Sequence, residues 1–174
     1  MLKVISLIFF LLLNFGSSYS HDSFSYAFIT NQESNKVDII DLKEQKKIKE
    51  ISVGNKPAGI TLDLLNGYAY VSNPESANVT KINVKNFKIK NFESGKSPLG
   101  IFYSEKIKSV VVSNWYDNQI SIIKTDSKKD TKPQIVKVGS SPAGIYISNK
   151  NKEILKESES NRPWGSFINL DQGN

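Results

Sequence analysis

The sequence predicts an all-β chain of β-propeller type, built from four-stranded blades, and three observations carry that expectation. A G-x-x-P-x-G-I frame occurs three times, as Gly54 to Ile60, Gly95 to Ile101 and Gly139 to Ile145. A hydroxyl-plus-asparagine pair closes a strand-like run fourteen residues after the second glycine of the frame, at Ser72-Asn73 and again at Ser113-Asn114. Each repeat of about 42 residues also holds four short β-branched or aromatic runs separated by turn residues, which is the pattern of a propeller blade. No stretch beyond the N-terminal segment keeps a helical period.

Residues 1–20 are expected to be a signal peptide rather than part of the fold. Met1-Leu-Lys3 is a short positive start, Val4 to Leu13 is apolar, and Gly16 to Ser20 supplies small residues for cleavage. The apolar run is too short for a bilayer-spanning helix, which needs about 20 residues. With no cysteine in the chain, disulfides, thiol catalysis and an N-terminal lipid anchor on cysteine are excluded. The remaining residues, 21–174, are enough for one domain, and they contain no second apolar stretch of membrane-crossing length.

Aligned on asparagine, Tyr26 to Asn31, Tyr68 to Asn73 and Ser109 to Asn114 are one segment repeated, apolar on both alternating faces as a strand covered on both sides should be. A second strand comes after a short polar loop and carries Val37 and Ile40, Val79 and Ile82, or Ile120 and Ile123. A third lies beyond a Lys/Asn/Asp-rich turn: Lys47 to Val53, Phe87 to Phe92 and Gln134 to Val138. The frame then leads into a fourth: Gly59 to Leu62, Gly100 to Tyr103 and Gly144 to Ile147. The repeat units are therefore 26–67, 68–108 and 109–152, with a degenerate fourth at 153–174.

The punctuation has a physical reason. Pro57, Pro98 and Pro142 fix φ and cannot donate to a ladder, so they belong between strands. Gly59, Gly100 and Gly144 open strands where a side chain would collide with a neighbouring backbone. Asn31, Asn73 and Asn114 recur in phase, and recurrence argues for structure: the expectation is that each caps its own turn.

These motifs (A-Y-V-S-N, then N-x-V, then V-G-x-x-P-x-G-I) resemble the YVTN family of β-propeller repeats over about Tyr26 to Ser148. The resemblance implies that the glycine-led strand is innermost in its blade and that the strand ending in asparagine lies next to it. It also implies a bacterial or archaeal protein of the cell surface or the exported fraction, and neighbouring propellers include quinoprotein dehydrogenase subunits and sugar lactonases. The repeat departs from the pattern at Lys156 and Glu157, where other copies have apolar and hydroxyl residues. Arg162 to Leu170 is similar to the opening of the cupin domain of mannose-phosphate guanylyltransferases and isomerases, so 161–174 reads either as a fourth blade or as the start of such a domain.

Chemistry is sparse. His21 is the only histidine, so neither a Ser-His-Asp triad nor a histidine metal cluster can be built; His21 with a cleaved amino terminus could chelate copper, against the plainer reading of a loose mature start. The aspartates lack EF-hand spacing, and no cofactor is expected. Trp115, Tyr116 and Asp117 stand where the other loops carry Gln-Glu-Ser and Pro-Glu-Ser; they can contact a ligand or pack on the next blade. Asn78-Val-Thr80 is a formal glycosylation sequon, without meaning in a bacterium. The net charge is +6, yet the lysines are scattered except around Lys43 to Lys49, so nucleic acid is not an expected partner.

The sequence therefore predicts a periplasmic, secreted or cell-surface bacterial protein acting as a non-catalytic binding or scaffold module on an unknown protein or surface ligand. The alternative is a fragment of a propeller enzyme, quinoprotein-dehydrogenase-like or lactonase-like, whose active groups lie in missing blades or a partner subunit. Three copies and a degenerate fourth fall short of a closed ring, so an incomplete propeller that self-associates through open sheet edges is expected.

Overall fold

The computed structural model describes residues 25–126 and 132–147, and it is all-β. The expected leader at 1–20, His21 and the degenerate repeat at 153–174 lie outside the described residues. The first sheet holds β1 (Tyr26–Asn31), β2 (Lys36–Asp41) and β3 (Lys46–Ser52) in that order. The second runs β4 (Ile60–Asp63), β5 (Tyr68–Asn73), β6 (Asn78–Asn83) and β7 (Ile89–Glu93). The third runs β8 (Pro98–Ser104), β9 (Ser109–Asn114), β10 (Gln119–Lys124) and β11 (Gln134–Lys137). All pairings are antiparallel, and each sheet is a meander, so neighbours in sequence are neighbours in space.

The strands that end on asparagine form with the bounds their sequence suggests. Asn31 sits opposite Lys36, Asn73 opposite Asn78 and Asn114 opposite Gln119, so a four-residue loop closes each hairpin. The last loop residue is left-handed in every copy: Asn35 (φ 59°), Ala77 (φ 50°) and Asn118 (φ 51°). Most other bounds shift by a residue. β8 begins at Pro98, expected between strands, because a proline at a strand's first position need not donate to the ladder. Two departures are larger. Phe87 is not in β7; it lies in the preceding turn at φ 60°. Gly144 to Ile147 is not a strand, because a strand exists only through a hydrogen-bonded neighbour and none pairs with it among the described residues.

Apolar contact between sheets makes the core. Ala69 and Val71 of β5 and Ile82 of β6 pack on Val37, Ile39 and Ile51 of the first sheet. Tyr70, on the other face of β5, packs with Val79 against Tyr103, Val110, Val112 and Ile123 of the third. Tyr70 and Tyr103 stack with ring centroids 5.7 Å apart. Fully burying each such valine or isoleucine is worth about 1.5–3 kcal/mol, so the sheet interfaces dominate stability. The second sheet is covered on both faces. The first is covered on one face among the described residues: Ile29 is 47% exposed, whereas Val71 and Val112 at the equivalent positions are fully buried.

A repeated joint holds the glycine-led segments together. The Thr30 hydroxyl donates to the Ala58 carbonyl (2.9 Å), the Ser72 hydroxyl to the Leu99 carbonyl (2.7 Å) and the Ser113 hydroxyl to the Ala143 carbonyl (2.8 Å). The same serine oxygens accept from the Gly59 and Gly100 amides, each at 2.9 Å. One hydroxyl thus ties the edge strand of its own sheet to the start of the next. The glycines are needed because the backbones almost touch. A Cβ on Gly59 would lie 2.6 Å from the Leu99 carbonyl oxygen, and one on Gly100 would lie 2.0 Å from that of Ala143. Among the described residues, nothing lies within 4 Å of such a position on Gly144.

Candidate binding groove

The strand-closing loops and the G-x-x-P connectors meet on one face of the molecule. The residue before each proline is left-handed: Lys56 (φ 55°), Ser97 (φ 55°) and Ser141 (φ 52°). Loop side chains bond the backbone of each connector, from two loops at the first and from one at the second and third. The Asn35 carbonyl oxygen accepts from the Lys56 amide (2.8 Å), and Asn118 accepts from the Ser141 amide (3.1 Å). From the following sheet, the Ser76 hydroxyl accepts from the Asn55 amide (2.7 Å), and the Asp117 carboxylate accepts from the Lys96 amide (2.6 Å). Loops and connectors therefore form one hydrogen-bonded rim.

The recurring asparagines lie beneath that rim, and they do not cap their own turns in the expected way. Asn114 is fully buried. Its amide donates to the Ser121 hydroxyl (2.8 Å), while its oxygen accepts from the Ser94 hydroxyl (2.9 Å) and the Gly95 amide (3.1 Å). Asn73, equally buried, donates to Asn78 and Thr80 at 2.8 and 2.9 Å. Val53 stands where the next copy has Ser94, and the Asn73 oxygen has no hydrogen-bond partner among the described residues. Each buried asparagine also occupies the space that a side chain on the first frame glycine would need: a Cβ on Gly54 or Gly95 would come within 2.7 or 2.5 Å of Asn73 or Asn114. Asn31 is only half-buried.

Trp115, Tyr116 and Asp117 have three different surroundings. Tyr116 is 74% exposed and lines an open groove of about 640 Å³. Trp115 is half-buried and its amide donates to the Ser97 carbonyl (3.0 Å). Asp117 faces the Lys96 amide and the Gln119 side chain, so its carboxylate is engaged in the rim. Only Tyr116 of the three reaches the groove, whose other walls are Gln32, Lys56, Pro74, Glu75, Ala77, Lys96, Ser97 and Leu99. Sequence reasoning missed these. The signal was available in the repeat, since Gln32 and Pro74 occupy the first position of their loops, as Trp115 does in the third, and Lys56 and Ser97 precede the frame prolines. Pro57 and Pro98 are buried beneath the rim, Pro98 as the first residue of β8, while Pro142 is half-buried.

The groove is electrically mixed. Lys56 pairs with Glu33 at 2.7 Å, which holds the Glu33 carboxyl below the usual carboxylate range and raises the Lys56 ammonium. Both groups are well hydrated, so the pair contributes little to stability. A second polar group lies between the second and third sheets, on β5, β6 and β8. Lys81 sits 3.7 Å from the centre of the Tyr68 ring and donates to the Thr125 carbonyl (3.2 Å); burial lowers its pKa. Burial pushes the Tyr70 hydroxyl up to about 12, with Thr125 pulling weakly the other way. No hydrogen bond of normal geometry reaches that hydroxyl among the described residues. The Tyr103 hydroxyl donates to Glu105 (3.0 Å), and burial followed by that carboxylate pushes its pKa upward. Among the described residues, no three His, Cys, Asp or Glu side chains gather as a metal site would require.

Meander sheets packed face to face through repeated joints define a propeller-type architecture, and solved structures agree. No family model matches the chain, and no curated protein matches it. Hydrazine synthase from Kuenenia stuttgartiensis is similar at a TM-score of 0.65 and 26% identity, over 72% of this chain and 36% of that one. Virginiamycin B lyase from Staphylococcus aureus is similar at 0.58 and 18% identity, over 69% and 41%. The dihydro-haem d1 dehydrogenase NirN is similar at 0.56 and 14% identity, over 67% and 25%. These are β-propeller proteins. The chain spans less than half the length of each.

Proposed function

We propose that this chain is an exported, non-catalytic binding or scaffold module of YVTN-like repeats that takes a protein or surface ligand in the groove beside Tyr116. One observation carries the reading: a large aromatic side chain stands 74% exposed at a loop position where the other copies hold Glu33 and Glu75, and it faces a rim held in shape by hydrogen bonds. An exposed ring with a polar tip offers contact area at low conformational cost, which suits recognition more than stability. The mixed charge of Lys56, Lys96 and Glu75 suits a ligand with both donors and acceptors. The leader-like start supports export.

The test uses full-length protein made in a bacterium, tracked to the periplasm or medium, and applied to arrayed peptides and oligosaccharides. Retention that falls at least about tenfold in Tyr116→Ala with an unchanged melt is the expected result, the loss of a single aromatic contact at a binding surface. Retention indifferent to Tyr116, or none, would remove the groove from the reading. The enzyme reading rests on the likeness to hydrazine synthase and the lyase, of which the chain spans 36% and 41%; it requires active groups contributed from outside this chain.

A further inference from the structure

Lysines scattered along the sequence fall on equivalent edge strands in the fold. β3, β7 and β11 are the last strands of consecutive sheets, at the edge opposite the hydroxyl joints. Residues 43–52, 85–93 and 132–138, which hold these strands and their turns, carry nine lysines and three glutamates. All nine lysines are exposed. Two of the glutamates are already paired: Glu44 with Lys46, and Glu50 with Lys36 and Lys47. Lys43, Lys85, Lys88, Lys132 and Lys137 have no ion pair among the described residues. Lys49 lies 5.8 Å from the centre of the Phe87 ring, so the first basic strand reaches the turn that leads into the second.

Edge strands are often blunted with lysine to discourage strand addition. That role does not account for the apolar residues interleaved here. Each of these strands exposes one isoleucine: Ile48 at 39%, Ile89 at 49% and Ile135 at 45%. An exposed isoleucine makes an edge stickier, which works against protection. Cations and apolar side chains on one face are the combination that an anionic bilayer satisfies, with ammonium groups at the phosphates and aliphatic groups at the acyl boundary. A nucleic acid or acidic polysaccharide would satisfy only the charges, and among the described residues this face has no exposed aromatic on which a base could stack.

The geometry points to the outer edge formed by β3, β7 and β11 as a surface that rests peripherally on a membrane rich in anionic phospholipid. This is independent of the Tyr116 groove. The test is sedimentation of the full chain with vesicles of phosphatidylcholine alone or with about a third phosphatidylglycerol, across a salt series. Binding only to the anionic vesicles, weakening as salt rises, is expected. Lys85→Glu combined with Lys88→Glu and Lys137→Glu should lower it at least about tenfold. Ile89→Ser with Ile135→Ser should lower it while leaving the salt slope unchanged. Three results would overturn the proposal: no sedimentation with anionic vesicles, sedimentation unaffected by the lysine changes, or retention on duplex DNA or heparin without vesicle binding. Aggregation of the lysine variant, together with a wild type that ignores vesicles, would assign the lysines to edge protection instead.

Discussion

Replacing the second glycine of each G-x-x-P-x-G-I frame by alanine asks how closely neighbouring sheets approach. At Gly100 the new methyl would stand 2.0 Å from the Ala143 carbonyl oxygen and 2.9 Å from the Ser113 hydroxyl. A carbon and an oxygen rest at a little over 3 Å, so about 1 Å of overlap must be relieved by moving backbone, not by swinging a flexible side chain. Overpacking of this kind costs about 1–3 kcal/mol. Displacing Ala143 also breaks the bond from the Ser113 hydroxyl, which adds about 1 kcal/mol. The expected loss for Gly100→Ala is therefore about 2–4 kcal/mol. Gly59→Ala meets the Leu99 oxygen at 2.6 Å and should cost roughly half as much. Gly144→Ala meets nothing within 4 Å among the described residues and should be neutral or gain about 0.4–1 kcal/mol by stiffening the unfolded chain. Urea unfolding of the full chain, read by tryptophan fluorescence, compares the midpoints at constant slope. Equal midpoints for the Gly100 and Gly144 variants would refute the close approach of the sheets.

Ser72→Ala and Ser113→Ala should each lose about 1–2 kcal/mol in the same unfolding experiment, and the double variant should depart from the sum, because the Leu99 carbonyl and the Gly100 amide that the two hydroxyls bond belong to one peptide group. Asn114→Ala removes three buried hydrogen bonds and should cost about 2–4 kcal/mol, more than Asn31→Ala at its half-buried position. Tyr70→Phe deletes a buried hydroxyl that has no hydrogen-bond partner among the described residues and should change stability by less than about 1 kcal/mol, in the stabilising direction. The tyrosines also set an alkaline limit. Both hydroxyls hold their protons more tightly in the fold than in the unfolded chain, so the native state binds more protons at high pH. Stability should be complete below the ordinary tyrosine value of about 10 and fall as pH rises through about 12; Tyr70→Phe should flatten that decline in unfolding curves taken across the range.

The part of the fold legible in the sequence was local. Tyr68 to Asn73 and Ser109 to Asn114 could be read as strands covered on both sides because nearly every position is small, β-branched or aromatic. The role of Asn114 could not be read, because its oxygen is bonded to Ser94 and Gly95, in a connector some twenty residues earlier. Gly144 to Ile147 repeats the motif of β4 and β8 yet forms no strand, since composition supplies a preference and pairing supplies the structure. Likewise the lysines of β3, β7 and β11 looked dispersed because they are a repeat apart along the chain, and only the strand order of the sheets puts them on equivalent edge strands. Tyr116 was separable from Trp115 and Asp117 only once the loop was closed, when one turned to solvent and another to the Lys96 amide.

The hydroxyl joints carry a mechanical consequence. Thr30, Ser72 and Ser113 each grip a carbonyl 28, 27 or 30 residues further along, so each of these joints reaches from one sheet only to the glycine-led segment that follows it. The sheets are thus couplings in series, like carriages, and tension applied at the two ends passes through every one. A chain held this way should part at its weakest coupling and then extend in steps of one repeat, with the doubly covered second sheet the last to yield.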